Sequence, residues 1–272
     1  MTEYDYLHPL RTGELLDRAI RLYRNNFLTA TWITAAFSLP ALVLELLIPG
    51  DLSSLTNLIA APLGIIMTGA LVYLFGQTYL SKDAAFKDSV RIGWARFWTI
   101  FGANFLQGLA IGLSAGIPYA IIALALKNPI LGFIIIMPIA VFLGARWSVT
   151  DCAIILEGSG ASDSLTRSWD LTKLSMWRVI AISLTLSALG LLLSGLPIIF
   201  FTYFSQFVEN DLPPNLLSGI GSAIGTFGAL ITTPVSMATY VVMFYDLRIR
   251  HEGFDLLMRA QTETPDELPT SE

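Results

Sequence analysis

The segment Ser164–Trp177, SLTRSWDLTKLSMW, sets Leu165, Trp169, Thr172 and Met176 on one side at helical spacing and Arg167, Asp170 and Lys173 on the other. That pattern predicts an amphipathic helix of about three to four turns. A long apolar run begins where it ends. The same order occurs in AFKDSVRIGWARFW, Ala85–Trp98, and in LLDRAIRLYRNNF, Leu15–Phe27, each followed at once by an apolar run. One unit, an amphipathic helix feeding apolar crossings, is thus used three times.

Six apolar runs are each long enough to cross a bilayer, which takes about 20 helical residues for a hydrocarbon core of about 30 Å. They lie at Leu28–Ile48, Leu58–Leu80, Trp98–Leu126, Ile130–Ile155, Val179–Phe204 and Gly219–Leu247. Each holds one internal proline: Pro40, Pro62, Pro118, Pro138, Pro197 and Pro234. Such a residue breaks a helix in water. In a membrane, neighbours re-satisfy the freed carbonyls, so six kinked, closely packed helices are expected.

The repeat has a register. Pro118 and Pro197 stand 79 residues apart, as do Phe86 and Leu165, Ser89 and Ser168, and Trp98 and Trp177. The first unit fits with a deletion: Leu15 to Phe86 and Phe27 to Trp98 are both 71, while Pro40 to Pro118 is 78, and the missing seven residues are about two helical turns. A second echo pairs Asp151-CAIIL-Glu157-Gly158 with Asp246-LRIRH-Glu252-Gly253 at an offset of 95; the second span lacks it. Each unit holds two crossings and so begins and ends on one side. Three parallel repeats about a pseudo-three-fold axis follow, unlike the inverted repeats of rocking transporters. The expected layout is one membrane domain over residues 1–259, with repeats at 13–81, 82–158 and 159–259, and an acidic, disordered tail at 260–272.

Composition narrows the class to an all-α polytopic membrane protein. At 54% hydrophobic and 14% charged residues, the 272-residue chain has more apolar surface than a soluble domain of that size buries. Charge sets the orientation. Arginine and lysine flank the first span at Arg11, Arg18, Arg21 and Arg24, join spans two and three at Lys82, Lys87, Arg91 and Arg96, join spans four and five at Arg167, Lys173 and Arg178, and follow span six. The opposite loops hold only Lys127. The positive-inside rule therefore places both termini and the three amphipathic helices in the cytoplasm. The polar N-terminus carries no cleavable signal peptide. A single cysteine, Cys152, excludes an intrachain disulfide and any cysteine-based zinc site.

Three motifs carry a family resemblance: the opening PLRTGELLDRAIRLYRNNF, the middle LEGSGASDSLTRSWDLTKLSMWRV and the closing YDLRIRHEGFDLL. In that order they resemble the membrane-domain family named after glycerophosphoryl diester phosphodiesterase, and the resemblance covers nearly the whole chain. It implies a six-helix bacterial membrane fold, joined in some members to a separate phosphodiesterase domain. No further domain is expected after Glu272, a departure from the fused form. The stand-alone members are largely without assigned activity, so the family name is not a function.

Catalysis is not expected. A metal-dependent hydrolase needs clustered carboxylates and histidines, and the only histidines are His8 and His251, near opposite ends of the chain. The chain has no HExxH, P-loop or CxxC motif. No metal or cofactor is implied. Polar residues within the spans are the remaining candidates. Arg146 lies in span four within a turn of the interface, placed to snorkel or to pair with Asp151 or Asp246. Asp246 and Arg250 are i,i+4 on the last helix, a spacing for an ion pair, which leaves Arg248 for a lipid phosphate or the preceding amphipathic helix. The reading is that Arg146, Asp151, Asp246 and Arg250 form a polar network closing the cytoplasmic end of the bundle. Glu45 lies within a turn of the outer interface, facing solvent.

The amphipathic helices are read either as connecting elbows or as an interfacial belt. In a belt Trp94, Trp98, Trp169 and Trp177 sit at headgroup depth while Arg18, Arg21, Arg91, Arg167, Arg178 and Arg248 face anionic lipid. The glycines and serines of Gly219-IGSAIGTFG in span six allow close helix packing. Two functional classes stay open. The first is a non-enzymatic scaffold or partner subunit, with membrane lipids, a membrane-protein partner or a second copy of the chain as its partners, and no nucleic acid. The second is a transporter or channel-like protein for a small or amphiphilic solute. That one needs a polar cavity at mid-depth, for which the sequence offers little beyond Gln77, Asn104, Gln107 and scattered serines and threonines.

Overall fold

A computed structural model describes residues 9–47, 53–205 and 214–254. Every regular element among them is helical: α1 (Thr12–Asn25), α2 (Phe27–Leu47), α3 (Ser53–Tyr79), α4 (Phe86–Ala95), α5 (Phe97–Ile111), α6 (Ile117–Leu126), α7 (Pro129–Arg146), α8 (Thr150–Leu156), α9 (Ala161–Thr172), α10 (Met176–Gly190), α11 (Leu196–Ser205) and α12 (Pro214–Glu252). Six stretches are long and apolar enough to cross a membrane. The acidic tail, His8, much of the two longer outer loops and the side chain of Glu45 lie outside the described residues.

Local chemistry sets the boundaries. Asn128 caps α7 by accepting from the Ile130 and Leu131 amides at 3.0 and 3.2 Å, with Pro129 at the first helical position, where no N–H is needed. Gly158 and Gly253, at φ +75° and +61°, follow α8 and α12 in the left-handed conformation that ends many helices. They are the glycines of the 95-residue echo. Pro118 and Pro197 each stand second in their helix, directly after a five-residue π-helical turn, Gly112–Gly116 and Leu191–Gly195. A proline crowds the carbonyl four residues back, here Ser114 and Leu193, and the wider turn makes room for the ring. The two turns are themselves 79 residues apart. The other four prolines lie inside continuous α-helix.

Small residues carry the close packing. A Cβ on Gly228 would collide with the Leu193 carbonyl oxygen, the one freed by Pro197, and on Gly225 it would stand 2.8 Å from the Ser194 oxygen. The middle of α12 thus rests on exposed backbone of the π turn, an approach only glycine permits. Likewise α4 folds back on α3, where a Cβ on Gly93 would lie 2.5 Å from the Ile66 oxygen and 2.9 Å from the Ala70 nitrogen.

The inward face of α4 and α9 is formed largely by small residues, whereas α1 buries its apolar stripe at Leu15, Ala19, Leu22 and Tyr23. In α9 the buried residues are Ser164, Ser168, Leu171 and Thr172, and in α4 they are Ser89 and Gly93, whereas Leu165 and Trp169 are half-exposed. The expected single helix also breaks, at a 3₁₀ turn over Lys173–Ser175, and Met176 opens α10. An apolar stripe marks the inner face where the outside is water. Against lipid the stripe can face outward, and helices approach through small residues. The helices after the short ones begin at Phe27, Phe97 and Met176, intervals of 70 and 79. Exposure agrees: Leu28, Trp98 and Trp177, at 70%, 76% and 84%, keep the same spacing.

The core lies where α1, α3, α8, α9 and α12 converge, around fully buried Leu15, Leu71, Phe75, Leu171, Met243 and Phe244. Both ends of the described chain, Leu10 and Arg250, meet there. This is the basal end; the distal halves of α6, α7 and α11 are mostly exposed.

Candidate functional site

Two ionic clusters occupy the basal end. Asp246, 1% exposed, accepts hydrogen bonds from Arg178 Nη1 at 2.6 Å, from Arg250 Nε at 2.9 Å and from the Leu10 amide at 2.7 Å. Both guanidiniums also donate to the Leu10 carbonyl. One buried carboxylate thereby ties spans five and six to the segment before α1. In the second cluster Arg167 donates to Glu157 at 2.8 and 2.7 Å and also to Glu252, while Arg248 Nε lies 3.2 Å from each of those acids and its guanidinium 4.1 Å over the Phe254 ring. The two glutamates of the 95-residue echo are thus held together by two arginines.

The expected network is therefore divided differently. Asp246 and Arg250 pair, but Arg146 and Asp151 are not with them. Arg146 donates to the Trp169 carbonyl at 3.3 Å and stacks over Trp169 and Phe142 at 4.7 and 5.3 Å. This leaves Trp169 half-buried as its cover. Arg167, Arg178 and Arg248, expected at lipid headgroups, turn inward to acids. Arg18 lies over the Tyr79 ring at 5.8 Å, which in turn stacks on Tyr245 at 4.9 Å. Arg21 and Arg91 are exposed, Arg91 with Asp88 at 3.6 Å. Trp94, Trp98 and Trp177 are exposed.

Asp151 lines a cleft of about 630 Å³ between α5, α7, α10 and α12. On one wall α5 presents Asn104 and Gln107; opposite, α10 presents Ser183 and Ser187; Ser148 and Asp151 form the basal floor beside Tyr240 of α12. Along α7 the lining runs from Phe133 to Trp147, about 21 Å at 1.5 Å per residue. Gln107 and Ser187 stand ten and eleven residues inside their helices, about 15 Å and so near mid-depth of a hydrocarbon core of about 30 Å. The long side is open, for Asn104, Phe133, Met137, Leu184 and Ser187 are exposed. The volume lies in the range of small-molecule sites. The sequence hinted at this place only through Asn104 and Gln107, because serines spread over two spans show no convergence until the helices are placed.

Six stretches apolar and long enough to cross a membrane, among described residues whose regular elements are all helical, define a multi-pass integral membrane protein. The chain belongs to the family described as the membrane domain of glycerophosphoryl diester phosphodiesterase, whose model matches residues 114–256. The opening motif at Pro9–Phe27 lies outside that match. No curated protein and no solved structure matches the chain.

Proposed function

We propose that this is a non-enzymatic inner-membrane protein that takes up a small amphiphile from the bilayer and moves it within the cleft, as a carrier does. The observation that carries the reading is the cleft itself: polar at its floor and mid-depth, apolar towards its mouth, and open on the side of the lipid-exposed spans. Polar side chains at that depth are costly against hydrocarbon and are repaid by a polar guest or water.

The surrounding architecture is read as three parallel repeats. The π turns at an interval of 79, the helix starts at 70 and 79, and the left-handed glycines at 95 support this. On this reading the basal end, with both termini, faces the cytoplasm, following the arginine bias. Trp94, Trp98 and Trp177, all exposed, anchor it at the interface.

Reconstituted vesicles test the carrier reading. Protein-containing vesicles are expected to exchange NBD-labelled alkyl amphiphiles between leaflets faster than empty ones, for at least one of a cationic, a neutral and an anionic head. Gly144 lines the cleft and a Cβ there meets open space, so Gly144→Phe fills the cleft without a backbone clash. It should return exchange to the rate of empty vesicles. Equal rates for wild type and empty vesicles with every probe would leave the scaffold reading in its place.

A further inference from the structure

Four acids stand at the two places of the 95-residue echo: Asp151 and Glu157, Asp246 and Glu252. Three of them are neutralised. Glu157 and Glu252 share Arg167 and Arg248, and Asp246 holds Arg178 and Arg250. Asp151 has no ion pair among the described residues, and its Oδ1 is buried without a hydrogen-bond partner.

The repeat register explains why. Shifting Arg178 back by 79 gives Thr99, and shifting Arg250 back by 95 gives Ile155. The two cations that satisfy Asp246 are thus replaced, around Asp151, by a hydroxyl and a hydrocarbon. Nor does the nearest arginine in sequence compensate, since Arg146 is turned to Trp169 and Phe142. An acid in a site that could have carried its own arginines, as the sister site does, is an acid kept for something else.

The rest of the cleft fits one class of guest. Among the described residues, Asp151 is the only charged one lining it. Around the floor stand Trp147 and Tyr240, aromatic faces of the kind that attract ammonium groups. Towards the mouth Phe133, Met137 and Leu184 are apolar and exposed. Resting on the carrier reading, we infer that the cleft selects amphiphiles whose head is a protonated or quaternary amine, with the head at Asp151 and the tail along α7. The guest supplies the cation that Arg178 and Arg250 supply to Asp246. Burial of Oδ1 strengthens such a pair, because fewer waters compete there than at a surface carboxylate.

The test is equilibrium binding to the full-length protein in lipid nanodiscs, corrected for uptake by empty discs, with three probes of one chain length: dodecyltrimethylammonium, dodecyl glucoside and dodecyl sulfate. Wild type is expected to bind the ammonium at least about tenfold more tightly than the glucoside, a difference of about 1.4 kcal/mol, and the sulfate least. Asp151→Asn should erase that preference while keeping the glucoside affinity, which also shows that the variant is folded. Gly144→Phe should abolish saturable binding of all three. A preference for the ammonium that survives in Asp151→Asn, or a wild type that prefers the glucoside or sulfate, overturns the charge inference and leaves the carrier reading standing. No saturable binding of any probe to wild type, or binding unaffected by Gly144→Phe, overturns both.

Discussion

Asp151 and Asp246 occupy matching places in the chain and have opposite surroundings, and a single substitution at each separates structure from function. Replacing Asp246 with asparagine leaves the half-buried Arg178 and the exposed Arg250 against a neutral group and weakens the tie to Leu10. Breaking a fully buried pair costs about 3–5 kcal/mol, and the solvent that reaches Arg250 and Arg178 brings this case below that range. Asp246→Asn should therefore lower the unfolding midpoint in detergent clearly, by several degrees, and an unchanged midpoint would refute the tie. Asp151→Asn removes a charge that nothing balances, so its midpoint should stay level or rise. The Asp246–Arg250 spacing was legible beforehand because i,i+4 on a helix is local geometry. The part of Arg178 was not: it sits 68 residues from Asp246, and an arginine at a span boundary reads equally well as a lipid ligand.

At the scale of elements, helix number and extent were readable because an apolar run of bilayer length has few alternatives. Which side of a short helix faces in was not. The periodicity of Ser164–Trp177 locates its apolar stripe, but the bundle accepts a face rotated from it towards the serines, with Thr172 common to both, since Ser168 and Thr172 reach the Arg146 carbonyl at 2.8 and 3.3 Å. The proline positions were plain, whereas the π turns before two of them were not, because a widened turn leaves no residue signature of its own. Gly228 tests this packing. Gly228→Leu should push α12 off the Leu193 carbonyl and cost about 1–3 kcal/mol, read as a lower midpoint. Gly144→Ala, whose Cβ meets open space, should leave the midpoint unchanged. Equal effects of the two would mean that α12 does not ride on that backbone edge.

For the whole molecule, a buried basal core supports spans whose distal halves are largely exposed, and the cleft sits where α5, which packs on α3 and α9, stands apart from α7 and α10. The intervals of 79 and 95 could be read from the chain, and the π turns and the left-handed glycines keep them. The cleft could not, because it arises from the gap between helices and not from any one of them. Orientation follows from charge, and labelling tests it: in a Cys152→Ala background, Arg91→Cys should react with an impermeant maleimide only in opened cells, and Lys127→Cys in intact cells. The reverse pattern would invert the bundle and place Asp151 towards the outside.

The central claim is that the cleft is a place for a guest, and native mass spectrometry of the gently extracted protein reads its occupancy directly. Wild type should carry an adduct of amphiphile mass that Gly144→Phe lacks. A bare chain in both, or an additional protein subunit bound equally to both, would contradict the account.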